Sequence, residues 1–193
     1  MGWARLLLFP LLLIAAAACS MQSAIEKFSS PEDRAFALRF VEDVRSGDEE
    51  ALRPQFDPGL WAKSRDQLPQ ARPLFPPGEG STRLVGYHVA TQVANGASST
   101  RKEYIAVTTD ETHWTRTRIV TLAEGGPARV VEWNVDGFKE PPAELAMMEA
   151  WDSALPWIWA GMAVVLGVAG GLVFWLVRRS RRWNAARQGS VGP

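Results

Sequence analysis

The chain is predicted to be an α+β protein. N-terminal helices pack on a curved antiparallel sheet of about four strands, flanked by an N-terminal signal segment and one C-terminal transmembrane helix. Three observations predict this. Phe36, Phe40 and Val44 recur every four residues with Ala37 and Val41 beside them, the apolar stripe of a helix. From Thr82 onward the period falls to two, with Val85, Tyr87, Val89 and Val93 alternating with Gly86, His88, Ala90 and Gln92. Residues 155–177 (LPWIWAGMAVVLGVAGGLVFWLV) carry no charge at all. Helical segments precede strand segments without alternating with them, which is the order of a segregated α+β domain.

The N-terminus, residues 1–18, has the form of a secretory signal: one basic residue (Arg5), an apolar run from Leu6 to Ile14 and a small-residue tract. Cys19 follows directly after Ala16-Ala17-Ala18 and is the chain's only cysteine. The stretch resembles a bacterial lipoprotein signal, in which such a cysteine is lipidated and becomes the new N-terminus. It departs from that pattern at Ala16, where leucine is usual. Lipidation at Cys19, plain cleavage before it and an uncleaved anchor all stay open. A single cysteine rules out an intramolecular disulfide, so the exported domain must rest on its core.

After a polar spacer, residues 19–30, the α+β domain is expected over residues 31–140. Ser30-Pro31-Glu32-Asp33 is a dense helix start: a capping hydroxyl, a proline suited to the first helical position and two acids at the positive end of the dipole. Gly47 ends that helix. Asp48–Leu52 (DEEAL) gives one or two further turns, stopped by Pro54. Asp57-Pro58 starts another helix carrying Leu60, Trp61, Ser64 and Leu68, expected to stop before Pro69. Residues 73–80 (PLFPPGEG) form a loop. Strands follow from Thr82, over 103–109, over 112–122 and over 129–135, with turns at Asn95-Gly96, Asp110-Glu111 and Glu124–Pro127. The expected core pairs Phe36, Phe40 and Val44 with Val131, Trp133 and Val135.

Residues 141–154 read as a short juxtamembrane helix and residues 155–177 as the span. Twenty-three residues at about 1.5 Å each give about 34 Å, enough to cross the hydrocarbon core. Trp157, Trp159 and Trp175 stand near its ends, where amphipathic rings prefer the headgroup boundary. The basic tail, residues 178–193, opens with Arg178, Arg179, Arg181 and Arg182, which predict a cytoplasmic C-terminus and a domain outside the cytoplasmic membrane of a bacterium. The formal charge of zero hides this asymmetry. Every acidic residue lies between Glu26 and Asp152, where 15 basic residues face 21 acidic ones, a net charge of −6. A net-acidic domain argues against nucleic acid as partner. Within the span, Ala163, Gly167 and Gly171 recur every four residues, a small-residue face that permits pairing with another transmembrane helix. The partners expected are therefore the membrane and, through that face, a second helix.

The long first helix, the GDEEAL turn, the Phe56-Asp57-Pro58 segment and the meander ending in VVEWNVDGF resemble the nuclear-transport-factor-2-like, cystatin-like α+β superfamily. Within it they resemble small exported bacterial members of unassigned function. The resemblance covers about residues 31–139. It implies a helix-filled sheet cone; the superfamily holds isomerases and dehydratases, with an acid or base inside the cone, as well as non-catalytic modules. Here the inward candidates are Tyr87, Tyr104, Trp114, Arg116, Glu132 and Trp133. Among these Tyr87, Trp114, Arg116 and Trp133 define a candidate pocket, with Arg116 and Arg118 beside Trp114 on one strand face. Glu132 points away from Val131, Trp133 and Val135, the wrong side for a buried base. His88 and His113 lie on different strands without clustered carboxylates or thiols, so no metal site is expected. No phosphate loop, dinucleotide fingerprint or nucleophile elbow occurs, and no cofactor is expected. The expectation is a tethered binding or interaction module without catalysis. The alternatives are a small-molecule enzyme working in the cone and an accessory subunit of a larger membrane complex.

Overall fold

The computed structural model describes residues 20–188 except Glu79 and Asn95, with side chains described as far as Arg179. The signal segment and Cys19 lie outside the described residues. The chain divides into two compact units, Met1–Trp151 and Asp152–Pro193.

The first unit opens with helix α1 (Met21–Phe28), which falls in the segment expected to be a polar spacer. Ser20 caps it and Ile25 anchors it in the core. Arg34 clamps its last turn by donating to the carbonyls of Glu26 and Ser29 at 2.8 and 2.6 Å. Helix α2 (Pro31–Ser46) begins and ends where its caps dictate. The Ser30 hydroxyl accepts the Asp33 N–H at 3.1 Å, and Gly47 closes the helix at φ 75°. A side chain at Gly47 would combine that left-handed backbone with a Cβ 3.1 Å from the Arg72 side chain, so glycine is required there. Helix α3 (Glu49–Leu52) and a 3-10 turn (Arg53–Gln55) lead to helix α4 (Pro58–Ala71). Helix α4 runs through Pro69 instead of stopping before it, because Leu68 and Ala71 on either side are both buried against the core. A second 3-10 turn (Arg72–Leu74) then enters the loop.

Four strands form one antiparallel sheet in sequence order: β1 (Ser81–Ala94), β2 (Ala97–Thr109), β3 (Trp114–Glu124) and β4 (Arg129–Phe138). The segregated α+β order and the four-stranded sheet are as predicted. Two bulges alter the expected burial. One lies between Leu84 and Gly86 and lets both Leu84 and Val85 be buried. The other faces Val120 and Thr121 and makes Val131 the extra residue, so Val130, not Val131, enters the core. Val89 and Val93, expected on a buried face, are 42% and 74% exposed, because the β1–β2 hairpin extends past the helices that cover its base.

Both sheet faces are covered. On one, Phe40, Val41 and Val44 of α2 meet Phe56, Leu68, Tyr104 and Trp133. On the other sit residues 143–151, the first turns of helix α5 (Ala143–Gln188). Leu145 and Met148, one turn apart, are buried among sheet residues that include Val107. Arg116 of β3 donates to Glu144 at 2.9 Å, and Arg83 of β1 to Glu149 at 2.8 Å. The segment expected to be merely juxtamembrane is thus part of the domain's core. In the second unit α5 continues as one helix, and over Ala143–Arg179 it is the one helix among the described residues long and apolar enough to cross a membrane.

Candidate functional site

The first face of the sheet carries its polar chemistry at a single acid. Asp33 sits in the third position of α2, on the same side as Ala37, Phe40 and Val44, and is only 9% exposed. Its Oδ1 accepts from the Tyr104 hydroxyl at 2.8 Å, and its Oδ2 from the Tyr87 hydroxyl at 2.8 Å. Lys102 Nζ donates to both oxygens at 2.8 and 3.0 Å, and the Ser30 hydroxyl adds a contact at 3.1 Å. Tyr87 and Tyr104 are direct cross-strand partners, and Lys102 lies two residues before Tyr104 on the same face. Strand register therefore aims all three donors at one helix end.

Burial on its own would raise the Asp33 carboxyl. The hydrogen bonds from Lys102, Tyr104 and Tyr87 outweigh it and hold the group at about 2. The two phenols move the other way, pushed above the ordinary tyrosine range first by burial and then by the Asp33 carboxylate. The acid is fixed ionised and both phenols are fixed protonated. Neither is poised near neutrality, where a general acid or base works best.

Around this cluster the space under the sheet is filled by aromatic side chains. Phe36 stands against Tyr104 at 5.6 Å, and Phe40 against Phe56 at 5.5 Å and Trp133 at 6.4 Å; Phe56 meets Trp61 at 5.5 Å. Trp133 donates its indole N–H to Ser64 at 2.9 Å, satisfying the one polar atom it brings inside.

The candidate pocket of Tyr87, Trp114, Arg116 and Trp133 is not assembled. Tyr87, Tyr104, Ile119 and Trp133 pair in one row on the helix-covered face. Trp114 and Arg116 pair with Phe138 and Asp136 in rows of the opposite face. Alternation along β3 separates the two sets by the thickness of the sheet. Nor is Arg116 open to an anion. It bonds Asp136 at 2.7 Å and Glu144 at 2.9 Å, its guanidinium stands 5.4 Å from the Phe138 ring, and Asp136 foremost pushes its pKa up. Arg118 is shared between Glu103 and Glu132, and Arg101 also pairs with Glu132. The alternating Thr and Arg of β3 therefore do not leave a solvated or vacant side. Thr115, Thr117 and Thr121 are buried, and the arginines are neutralised by carboxylates across the strands.

Glu132 is exposed on the face opposite Trp133, as its alternation predicts. His88 is exposed on β1, and His113 lies in a surface turn beside Thr112 and Asp110. Along α5 nothing lies within 4 Å of where a Cβ would stand at Gly167 or Gly171, so the face they share with Ala163 is open. Arg178 and Arg179 are exposed, with Arg179 stacked 5.1 Å over Trp175, and the helix backbone passes Arg181 and Arg182. Comparison with known protein families, curated proteins and solved structures finds no match.

Asp33 and Lys102 were absent from the sequence-derived candidates. Asp33 served as a cap-region acid, yet its spacing to Ala37, Phe40 and Val44 places a carboxylate on the buried stripe. That position is the signal from which it could have been found.

Proposed function

We propose that the chain is a membrane-tethered extracytoplasmic interaction module that works without catalysis. The observation that carries this reading is the filled interior. Aromatic rings occupy the space under the sheet, and its one buried carboxylate has every lone-pair direction answered by Lys102, Tyr87, Tyr104 or Ser30. Binding is then left to the outer surface. The tether is the apolar part of α5, oriented by Arg178, Arg179, Arg181 and Arg182 with the tail in the cytoplasm. The signal segment directs export and Cys19 adds a lipid anchor. The fold is proposed to be a nuclear-transport-factor-2-like variant in which the cone is packed shut.

The test combines topology with mutation. Protease added to intact spheroplasts should digest the domain and spare a tag on the C-terminus; a protected domain overturns the orientation. Tyr87→Phe, His88→Ala, Arg116→Ala and Glu132→Gln should each leave the cellular phenotype of the full protein intact, while deleting the domain abolishes it. Loss of the phenotype in one of the four at unchanged abundance and fold would convert the reading to an enzyme. The four-residue spacing of Ala163, Gly167 and Gly171 supports a second reading, an accessory subunit paired through its span. Replacing Gly167 and Gly171 by leucine should then release the partner without affecting membrane insertion.

A further inference from the structure

We propose that the hollow where the turn after α3 meets the start of β4 binds a small aromatic carboxylate. The proposal rests on the interaction-module reading and names a ligand for its outer surface.

The hollow measures about 380 Å³ and is lined by Arg53, Pro54, Phe56, Pro58, Trp61 and Arg129. Small-molecule sites have this size and this make-up, apolar walls with a few placed polar groups. Its shape is set locally. Pro54 lies in the 3-10 turn and Pro58 at the first position of α4, each with φ fixed by its ring. Between them Phe56 is tied to the sheet. It bridges Val130, and the Asp57 N–H donates to the Val130 carbonyl at 2.9 Å. The buried Phe56 ring stands 5.5 Å from that of Trp61, which is only half-buried and gives the hollow an aromatic wall. Trp133 gives its indole N–H to Ser64, whereas that of Trp61 meets no protein acceptor among the described residues.

Charge selects the ligand. Arg83, Arg101, Arg116 and Arg118 are each answered by a carboxylate of the domain. Arg53 and Arg129 are exposed, and among the described residues neither meets an acid or lies over a ring. No acid lines the hollow. Arg129 makes one long contact, from Nη1 to the Phe56 carbonyl at 3.4 Å, which keeps its guanidinium at the wall with its other donors unused. Two guanidinium forks beside one aromatic wall, in a domain that is net acidic, suit an anion supplied from outside.

The start of α4 decides between carboxylate and phosphate. A phosphate at a helix N-terminus draws on free backbone N–H groups. Here Asp57 has taken them. Its Oδ1 accepts from the Gly59 N–H at 2.8 Å, and its carbonyl from those of Leu60 and Trp61 at 3.0 Å each. Pro58 has none to offer. A phosphate dianion would find no amide there and would be repelled by the Asp57 carboxylate. A carboxylate meets less of that repulsion and needs only the arginine forks. Its ring then lies on Trp61 between the two prolines, where flat apolar surfaces meet.

The test titrates the full chain, isotope-labelled at its indole nitrogens and held in detergent micelles, with naphthoate. The Trp61 indole signal, assigned by its loss in Trp61→Phe, should shift and saturate while that of Trp133 stays in place. Arg53→Gln and Arg129→Gln, both at exposed positions, should each weaken binding at least about tenfold, and lysine at either should recover part of it. Naphthamide, the same ring without the charge, should also bind at least about tenfold more weakly. No saturable shift at millimolar naphthoate, equal binding of naphthamide, or binding untouched by both arginine variants overturns the proposal. Naphthyl phosphate binding about tenfold tighter than naphthoate overturns the carboxylate assignment. An acetylated peptide ending in a free phenylalanine carboxylate, if it binds about tenfold tighter, overturns the small-molecule assignment in favour of a chain end. A silent titration beside an intact result for the four point variants would reject the hollow and leave the module reading standing.

Discussion

Replacing Asp33 by Asn removes the charge from the most heavily bonded polar group in the domain, and the structure sets the size of the effect. The carboxyl is held at about 2 in the fold against an ordinary value of 3.8. At about 1.36 kcal/mol per pH unit this difference corresponds to roughly 2–2.5 kcal/mol of stability. Asparagine keeps one acceptor oxygen for four donors, Lys102, Tyr87, Tyr104 and Ser30, and turns an NH₂ toward the others, leaving Lys102 and at least one phenol without a partner. The total loss at pH 7 is therefore expected at about 2–4 kcal/mol. The sign follows from the direction of the shift. A carboxyl depressed in the fold contributes its stability above the unfolded value and loses it as pH falls through the folded one. The gap between wild type and Asp33→Asn should hold constant from neutrality to about pH 4 and close between about 4 and 2. Thermal unfolding of the full chain in detergent, followed by near-ultraviolet circular dichroism, measures it. Each kcal/mol moves the midpoint by about 2–8 °C in a domain of this size. A difference under about 0.5 kcal/mol, or one that stays constant down to pH 2, would refute the argument that these hydrogen bonds stabilise the carboxylate.

Phe40→Ala should destabilise the domain by about 3–5 kcal/mol, because a fully buried ring is lost from between Phe36, Phe56 and Trp133; a cost below about 1 kcal/mol by the same melt would mean that the site collapses around the gap. Met148→Glu should cost at least about 2 kcal/mol by burying a charge against the sheet, and amide exchange should speed up in residues 143–151. Cys19→Ser should abolish labelling by a fatty-acid probe while the protein stays in the membrane fraction, since a spanning helix anchors far more strongly than an acyl chain. Changing all five tail arginines to Asn should scramble orientation in the spheroplast protease assay.

Elements governed by neighbours in sequence were legible; those governed by distant partners were not. Helix α2 could be bounded closely because Ser30, Pro31 and Gly47 act on their own backbone. The two bulges were invisible, since an extra residue at Val85 or Val131 is set by what lies across the strand; they bury Leu84 and Val130, while Tyr87, Trp133 and Val135 beyond them keep the face their alternation predicts. The second bulge is why Val131 stood in the expected core in place of Val130. The candidate pocket failed for a related reason. Tyr87, Trp114, Arg116 and Trp133 are chemically compatible, but only the register decides which share a face. Residues 143–151 read from sequence as a juxtamembrane helix, and their place in the domain appears only when Arg83 and Arg116 are seen opposite Glu149 and Glu144.

The cap of α1 bears on the chemistry of the proposed chain end. The Ser20 hydroxyl accepts the Ser23 N–H at 3.0 Å, so helix α1 is capped by the residue that directly follows Cys19. On the proposed reading, cleavage before Cys19 would create a chain end one residue from that cap. A free ammonium so near the positive pole of a helix dipole is disfavoured, and an acylated, uncharged nitrogen is not. Fatty acylation of that nitrogen would thus remove a repulsion from the helix start while it supplied the anchor.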